Sequence, residues 1–494
     1  VLKFSRKNLL IIGLAALFLC AMASGAWAKT YSNILVFGDS LSDVNNMHTI
    51  TQGQQPVRYS DDKVWIEFLA EKMGLEDKLI NKAYGGAKTT GHLNEQFNNF
   101  GFQEQINAYT SKNTIDPNAL VAIWIGGNDL NTHLPIISYN TAQDASNPAN
   151  NGPWVKEAIA AIQKQWIESG KDPSELPAYL GSDEGKAKIA EMVNGKIQIY
   201  LRDEIVLNIV HGIQALERSG AKNFLILNIP DLGKTPQAIE TARIAASGAI
   251  AQADQADQVM SPEQVAGIIK ETLGNISKLT AAFNDVTMIA LQNLFSSLGP
   301  NAKYQYYSAF KFMNQAIAQA DETSFPMNKN EKYSPEKIAE QLFESKTTNF
   351  GELKIWEIII GAATNKLPSN FYNDYQTSWL KLEGNVEPPA LPVIKAQSPA
   401  TPNTGVAADY IFFDTIHPTS KAHKELAKDV LARMQASKLP APPEAVKVDS
   451  EIAGSPCFID SAAAANHNTF MIFMGLMAGL GMLMIIIRKN HNRG

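Results

Sequence analysis

Apolar residues in this chain gather into short runs separated by polar, glycine-bearing breaks. Asn33–Phe37, Leu79–Ala83, Leu120–Ile125, Phe224–Asn228 and Tyr410–Phe413 are such runs, and glycine, asparagine or aspartate stands at or just after the end of each. Brief runs bounded by turn residues suit strands buried on both faces. Between them, Val64–Met73 and Ile197–Arg218 carry apolar residues at the three- and four-residue spacing of a helix that packs along one side. Strand alternating with helix predicts an α/β fold with a parallel sheet covered on both faces. Two stretches, near 137–183 and 321–404, lose this rhythm, are polar and hold scattered prolines. They read as insertions. The second ends in the proline-rich Glu387–Pro402, which suits an extended connector, and no internal repeat is present.

The two ends have a different texture. Lys3, Arg6 and Lys7 precede the apolar run Leu9–Cys20, and Ala26-Trp27-Ala28 offers small residues where a signal peptidase reads, so residues 1–28 are expected to be a signal peptide cut before Lys29. Leu19 is too bulky for lipoprotein processing at Cys20. Residues 439–468 read as a linker or stalk, within which Cys457–Ala465 is either linker or a processing signal. Thr469–Ile487 lacks charge and would span roughly 28 Å as a helix, close to the hydrocarbon thickness of a bilayer. It reads as a transmembrane helix. The basic tail at 488–494 would lie in the cytoplasm, with the preceding domain, 29–438, exported to the cell envelope and tied to its membrane.

Charge narrows the partners. The formal net charge is −6, with three cationic residues in the leader and three in the tail, so residues 29–468 carry −12. That disfavours nucleic acid and anionic surfaces. Apart from Cys20 in the leader, Cys457 is the lone cysteine, so no intrachain disulfide is expected in the mature protein.

In open parallel sheets the ligand site lies beyond the carboxyl ends of the strands. There the sequence delivers Ser40, the glycine pair of Tyr84-Gly85-Gly86-Ala87, Asn128 in Gly126-Gly127-Asn128-Asp129, and Asp414-Thr415-Ile416-His417. Taken singly, these are turn and cap residues. Together they form a set for acyl transfer. A serine hydroxyl needs a base, histidine has the ordinary pKa for that task, and an aspartate three residues before it can orient the ring. The Ser40 N–H, one glycine N–H and the Asn128 amide would stabilise the oxyanion. Asp39 and Asp43 are expected to hold the loop.

Other chemistries fit less well. Gly233-Lys234-Thr235 ends like a phosphate loop, but Asn228 replaces its first glycine and Pro236 follows, so it reads as a turn. His417 and His423 have no third metal ligand nearby, and neither a His-Glu-x-x-His nor a Gly-x-Ser-x-Gly sequence occurs. His423 is expected to ride a helix after the active loop, and His211 to be a core or half-buried residue.

"FGDSLSD", "NKAYGGAKTT", "IGGND" and "FFDTIHPT" resemble, in that order, the four sequence blocks of the GDSL lipase and esterase family, also called SGNH hydrolases. "LNIPDLGKTP" at Leu227–Pro236 is similar to a segment of the larger members. The resemblance covers roughly Ser32 to Met434, with the insertions unmatched. It implies a flavodoxin-like three-layer sandwich, with Ser40 as nucleophile, His417 as base, Asp414 as its orienter, and Ser40, Gly86 and Asn128 as oxyanion donors. Gly85 and Gly86 stay nearly tied for that role, because only the turn geometry decides between them. No metal or organic cofactor is implied. Larger exported members include lipases, lysophospholipases and acyltransferases, so a lipid ester is the expected substrate. An envelope polysaccharide O-acetyl group is the alternative, and a tethered binding domain without turnover is a third reading.

Overall fold

The computed structural model describes residues 31–143, 148–255, 259–300, 302–323, 411–412 and 416–436, with Pro335, Glu336 and Ala339. The expected leader, stalk, apolar span and basic tail lie outside the described residues, as do Asp414 and nearly all of 321–404. Among the described residues, no helix is long and apolar enough to cross a membrane.

Four of the five apolar runs become parallel strands: β1 (Ile34–Gly38), β2 (Leu79–Asn81), β3 (Leu120–Trp124) and β4 (Asn223–Leu227). A further strand, β5 (Lys303–Tyr307), completes a sheet of order β2-β1-β3-β4-β5 in which every neighbour is parallel. This is the flavodoxin-like strand order. The register aligns Gly38 with Trp124, Trp124 with Leu227 and Leu227 with Tyr307, so four strands finish in one row. Loops that follow that row are brought together.

Period-two alternation sends side chains to both faces, and both are covered. Leu35, Phe37, Val121, Ile123, Phe224 and Ile226 enter one core with α3 (Phe102–Thr110), α7 (Leu207–Arg218) and α9 (Pro262–Leu298). Ile34, Val36, Ala122, Leu225 and Leu227 enter the other, with α2 (Trp65–Met73) and α11 (Ser420–Ala436). The longer remaining helices are α4 (Gly127–Thr141), α5 (Pro153–Glu168), α6 (Asp183–Leu201), α8 (Pro236–Gln255) and α10 (Ala309–Thr323), beside the short α1 (Asn46–Ile50), a short helix at Leu176–Gly181 and single turns. The result is three layers. Burying each large aliphatic side chain of these cores stabilises the fold by about 1.5–3 kcal/mol before ordering costs.

Four local expectations change. The described part of Tyr410–Phe413 is not a strand: Ile411 and Phe412 are buried with Met313 and Ala422, and Phe412 makes an isolated antiparallel bridge with Pro418. Apolarity there serves burial and not a ladder. β5 was not expected, because its sequence KYQYY has no aliphatic residue; it is an edge strand whose tyrosines supply the packing surface. His211 is exposed, since the buried stripe of α7 runs through Ile209, Gly212, Ile213 and Leu216 and turns His211 outward. The polar stretch at 137–183 is largely helical, and Val155, Ala158 and Ile162 of α5 join the first core.

Candidate active site

The turn after β1 begins at a glycine that has no room for a side chain. A Cβ on Gly38 would sit 2.4 Å from the Trp124 carbonyl oxygen of the neighbouring strand. The Gln105 side chain of α3 holds the same residue from the other side, accepting the Gly38 N–H at 3.0 Å and donating to its carbonyl at 2.8 Å. The chain then reverses tightly. The Asp39 carbonyl accepts the N–H groups of Ser42 and Asp43, both at 3.0 Å, and the Asp39 carboxyl takes the Leu41 N–H at 3.0 Å. Burial pushes the Asp39 carboxyl up to about 7, against the pull of the Leu41 N–H and the His417 charge.

This turn presents Ser40, whose Oγ lies 2.8 Å from His417 Nε2. With the ring proton on Nδ1, the hydroxyl donates and the ring accepts. The two lie 377 positions apart in the sequence. His417 is set from several sides. Its successor Pro418 bridges Phe412, and the Thr419 N–H reaches the Ile411 carbonyl at 2.8 Å. A loop from the first third of the chain grips the same segment: Ser60 Oγ donates to the Pro418 carbonyl at 3.1 Å, and Asp61 accepts the Ser420 N–H at 2.6 Å at the start of α11. The Tyr59 ring lies 5.2 Å from the His417 ring, centroid to centroid. Asp414 lies outside the described residues.

Asp43 distinguishes the two glycines of the pair. Its carboxylate takes the Gly85 N–H at 2.7 Å, together with those of Asn46 at 2.9 Å and Met47 at 3.2 Å. Burial nevertheless pushes it up to about 6, with these three donors opposing the shift. Gly85 is therefore occupied. Among the described residues, no protein acceptor takes the N–H of Gly86 or of Ser40. Asn128, half-buried in the first turn of α4, donates one amide hydrogen to the Ala87 carbonyl at 2.8 Å, which fixes its side chain beside the same loop. Asp129 binds the Thr89 N–H and hydroxyl, the latter at 2.6 Å, and ties the Gly85–Gly86 loop to α4. Burial raises the Asp129 carboxyl to about 6.

Asp39 and Asp43 thus hold the loop, as expected. His423 rides α11 fully buried, with both ring nitrogens unpartnered among the described residues, and burial lowers it to about 3. Among the described residues, no group of three His, Cys, Asp or Glu could hold a metal ion. Gln105, Thr89, His92 and the Tyr59-Ser60-Asp61 segment were not singled out from sequence. Each acts on a partner distant in the chain or on a backbone atom, which leaves no local pattern to find.

The profile of GDSL-like lipases and acylhydrolases matches residues 34–430, most of the chain. The chain belongs to the GDSL-like lipase/acylhydrolase family. Among its relatives, Lipase 1 of Photorhabdus luminescens is 31% identical over 162 residues, 31% of this chain and 22% of that protein. A phosphatidylcholine-sterol acyltransferase of Aeromonas hydrophila is 28% identical over 175 residues, 32% of this chain and 47% of that protein. This GDSL-like acylhydrolase chain therefore matches less than half the length of either relative. The family match runs from β1 into α11 and so includes both Ser40 and His417.

Proposed function

We propose that the chain is a serine esterase that cleaves carboxylic esters through an acyl-enzyme, with lipid esters as the substrate class. The observation that carries this reading is the 2.8 Å contact between Ser40 Oγ and His417 Nε2, together with N–H groups at Ser40 and Gly86 that have no described protein acceptor. In the first step, Ser40 Oγ forms a bond to the ester carbonyl carbon while its proton passes to His417 Nε2. The carbonyl π electrons move onto oxygen, where the Ser40 and Gly86 N–H groups and the second hydrogen of the Asn128 amide stabilise the charge. Collapse breaks the bond to the leaving alcohol, which takes the proton from His417. Water repeats the sequence, releasing the acid and restoring Ser40. Asp414, three residues before His417, would bind Nδ1–H and fix the tautomer.

Lipid esters are favoured because the two relatives are named a lipase and a phosphatidylcholine-sterol acyltransferase. The second name also favours an alcohol as an acceptor that competes with water. The leader and apolar span read from the sequence support export and membrane anchoring of domain 29–438, which would place the enzyme at such substrates. The test is to incubate the protein with phospholipids, lysophospholipids, triglycerides and acetylated sugars, identify the acids released, and label it with a fluorophosphonate. Ser40→Ala should abolish labelling and cleavage, whereas Asp414→Asn should leave weak activity. Equal labelling of the Ser40→Ala protein refutes the assignment, and release of acetate alone refutes the lipid class.

A further inference from the structure

Both polar groups of the residue before the Gly86 donor are held by side chains. Asp43 takes the Gly85 N–H. The Gly85 carbonyl is bonded to Nε2 of His92, a buried ring six residues beyond Gly86. The other ring nitrogen, Nδ1, lies 2.9 Å from the Asn94 N–H and can only accept from it. The proton of a neutral ring therefore sits on Nε2 and is donated to Gly85. Both nitrogens are satisfied by backbone, and the Phe97 ring closes on the imidazole edge-on at 5.5 Å.

The covalent geometry of the peptide turns this contact into control of a donor. No described peptide bond is cis. In a trans peptide, the carbonyl of one residue and the N–H of the next point in opposite directions from one rigid plane. A side chain that fixes the Gly85 carbonyl therefore aims the Gly86 N–H away from itself. Gly86 has φ +79°, and a Cβ there would sit 2.6 Å from His92 Cε1, so the ring lies directly against this backbone. The Leu93 N–H holds the following carbonyl, that of Gly86, at 2.9 Å. The neighbouring backbone polar groups are engaged, and among the described residues the Gly86 N–H alone is left without a protein acceptor.

We propose that His92 is a positioning residue for the oxyanion site: its Nε2–H holds the Gly85 carbonyl and thereby aims the Gly86 N–H at the oxygen of the tetrahedral intermediate. This role rests on the esterase reading above. Burial supports it by holding the His92 pKa below the ordinary histidine value, with Lys88 acting in the same direction against the two backbone hydrogen bonds. The ring stays neutral, and the Asn94 N–H meets an acceptor.

The experiment compares the unmutated chain with His92→Phe, which keeps a ring but loses the donor, and His92→Gln, which returns an N–H near the Nε2 position. On a p-nitrophenyl acyl ester, His92→Phe should lower kcat at least about 10-fold, toward the roughly 100-fold or greater loss seen when an oxyanion donor is removed. KM should stay within about twofold, because the interaction is made in the transition state. An arylboronic acid, which forms a tetrahedral adduct on serine, should bind more weakly by a matching factor. His92→Gln should recover most of both losses. Unchanged kcat in folded His92→Phe, or a loss confined to KM, overturns the proposal. If His92→Phe does not fold, His92→Gln decides: folded with near-normal kcat it supports the role, and folded with low kcat it overturns it. If neither folds, the ring nitrogen shifts of the unmutated protein decide: a proton on Nε2 supports the role and one on Nδ1 overturns it. A different result, no Ser40-dependent turnover by the unmutated chain, refutes the esterase reading itself and this role with it.

Discussion

His423 offers a stability test whose size follows from its surroundings. It is fully buried on α11, neither ring nitrogen has a partner among the described residues, and Trp124, Phe312, Met313 and Leu426 line the small apolar cavity beside it. Burial holds its pKa at about 3, with the His417 charge acting in the same direction. In the unfolded chain it should titrate near the ordinary value of about 6.5. Between those values the unfolded state binds the extra proton, so stability is complete above about pH 6.5 and is lost as the pH falls toward about 3. At about 1.36 kcal/mol per pH unit, the loss is about 2 kcal/mol at roughly pH 5 and about 3 kcal/mol at roughly pH 4. His423→Leu removes this proton site and two unsatisfied nitrogens, so it should cost little at neutral pH and flatten the acid limb. Urea unfolding followed by tryptophan fluorescence, across about pH 4–7, measures the difference between the two proteins. The raised carboxyls of Asp39, Asp43 and Asp129 bend both curves alike and cancel in that difference. Parallel curves would refute the reasoning.

Asp39 should show the opposite sign. Its folded pKa of about 7 lies above the unfolded carboxylate value of about 3.9, so the folded protein binds the proton more tightly and stability falls as pH rises between them. Asp39→Asn, which can still accept the Leu41 N–H, should therefore gain on the unmutated protein from about pH 4 to about pH 7 in the same urea series. Asp43→Ala should fail differently: it leaves the N–H groups of Gly85, Asn46 and Met47 without their acceptor, a loss of about 1–3 kcal/mol for each that stays buried. Its kcat should fall more than its KM changes, measured on the p-nitrophenyl ester, because Gly85 is released beside Gly86.

The sequence revealed the sheet and the site through different signals. β1, β3 and β4 are apolar because both faces of the sheet are covered, so their runs stand out against any background. β5 did not, since an edge strand needs only partial burial and tyrosine meets that need without an aliphatic run. Ile411 and Phe412 misled for the converse reason: burial alone makes a segment apolar, whether or not a ladder follows. Ser40, the glycine pair, Asn128 and His417 stood out as a set because the proposed chemistry calls for particular side chains, and the first three positions follow β1, β2 and β3. The choice between the two glycines was not legible, because it depends on the Asp43 carboxylate, 42 residues away from Gly85. Nothing local distinguishes one glycine N–H from the next.

The same limit explains why Gln105 and His92 were missed, and what they share with Asp43 and Asn128. Gln105 binds both polar groups of Gly38, Asp43 binds the N–H of Gly85, His92 binds its carbonyl, and Asn128 binds the carbonyl of Ala87. Each satisfies a backbone group within two residues of Ser40 or Gly86, and among the described residues none takes the Ser40 or Gly86 N–H itself. An oxyanion site needs this division of labour. If the donors themselves were satisfied, an ester oxygen would have to displace a hydrogen bond before gaining one; if their neighbours were free, the peptide planes would reorient as charge developed. Donors fixed in advance avoid that reorganisation, which is why one such group contributes about 2.7–4 kcal/mol to lowering the barrier. The pressure is therefore on pairs that join separate loops, Asp43 to Gly85 and Asn128 to Ala87, and a change in either partner should disturb turnover before it disturbs the sheet.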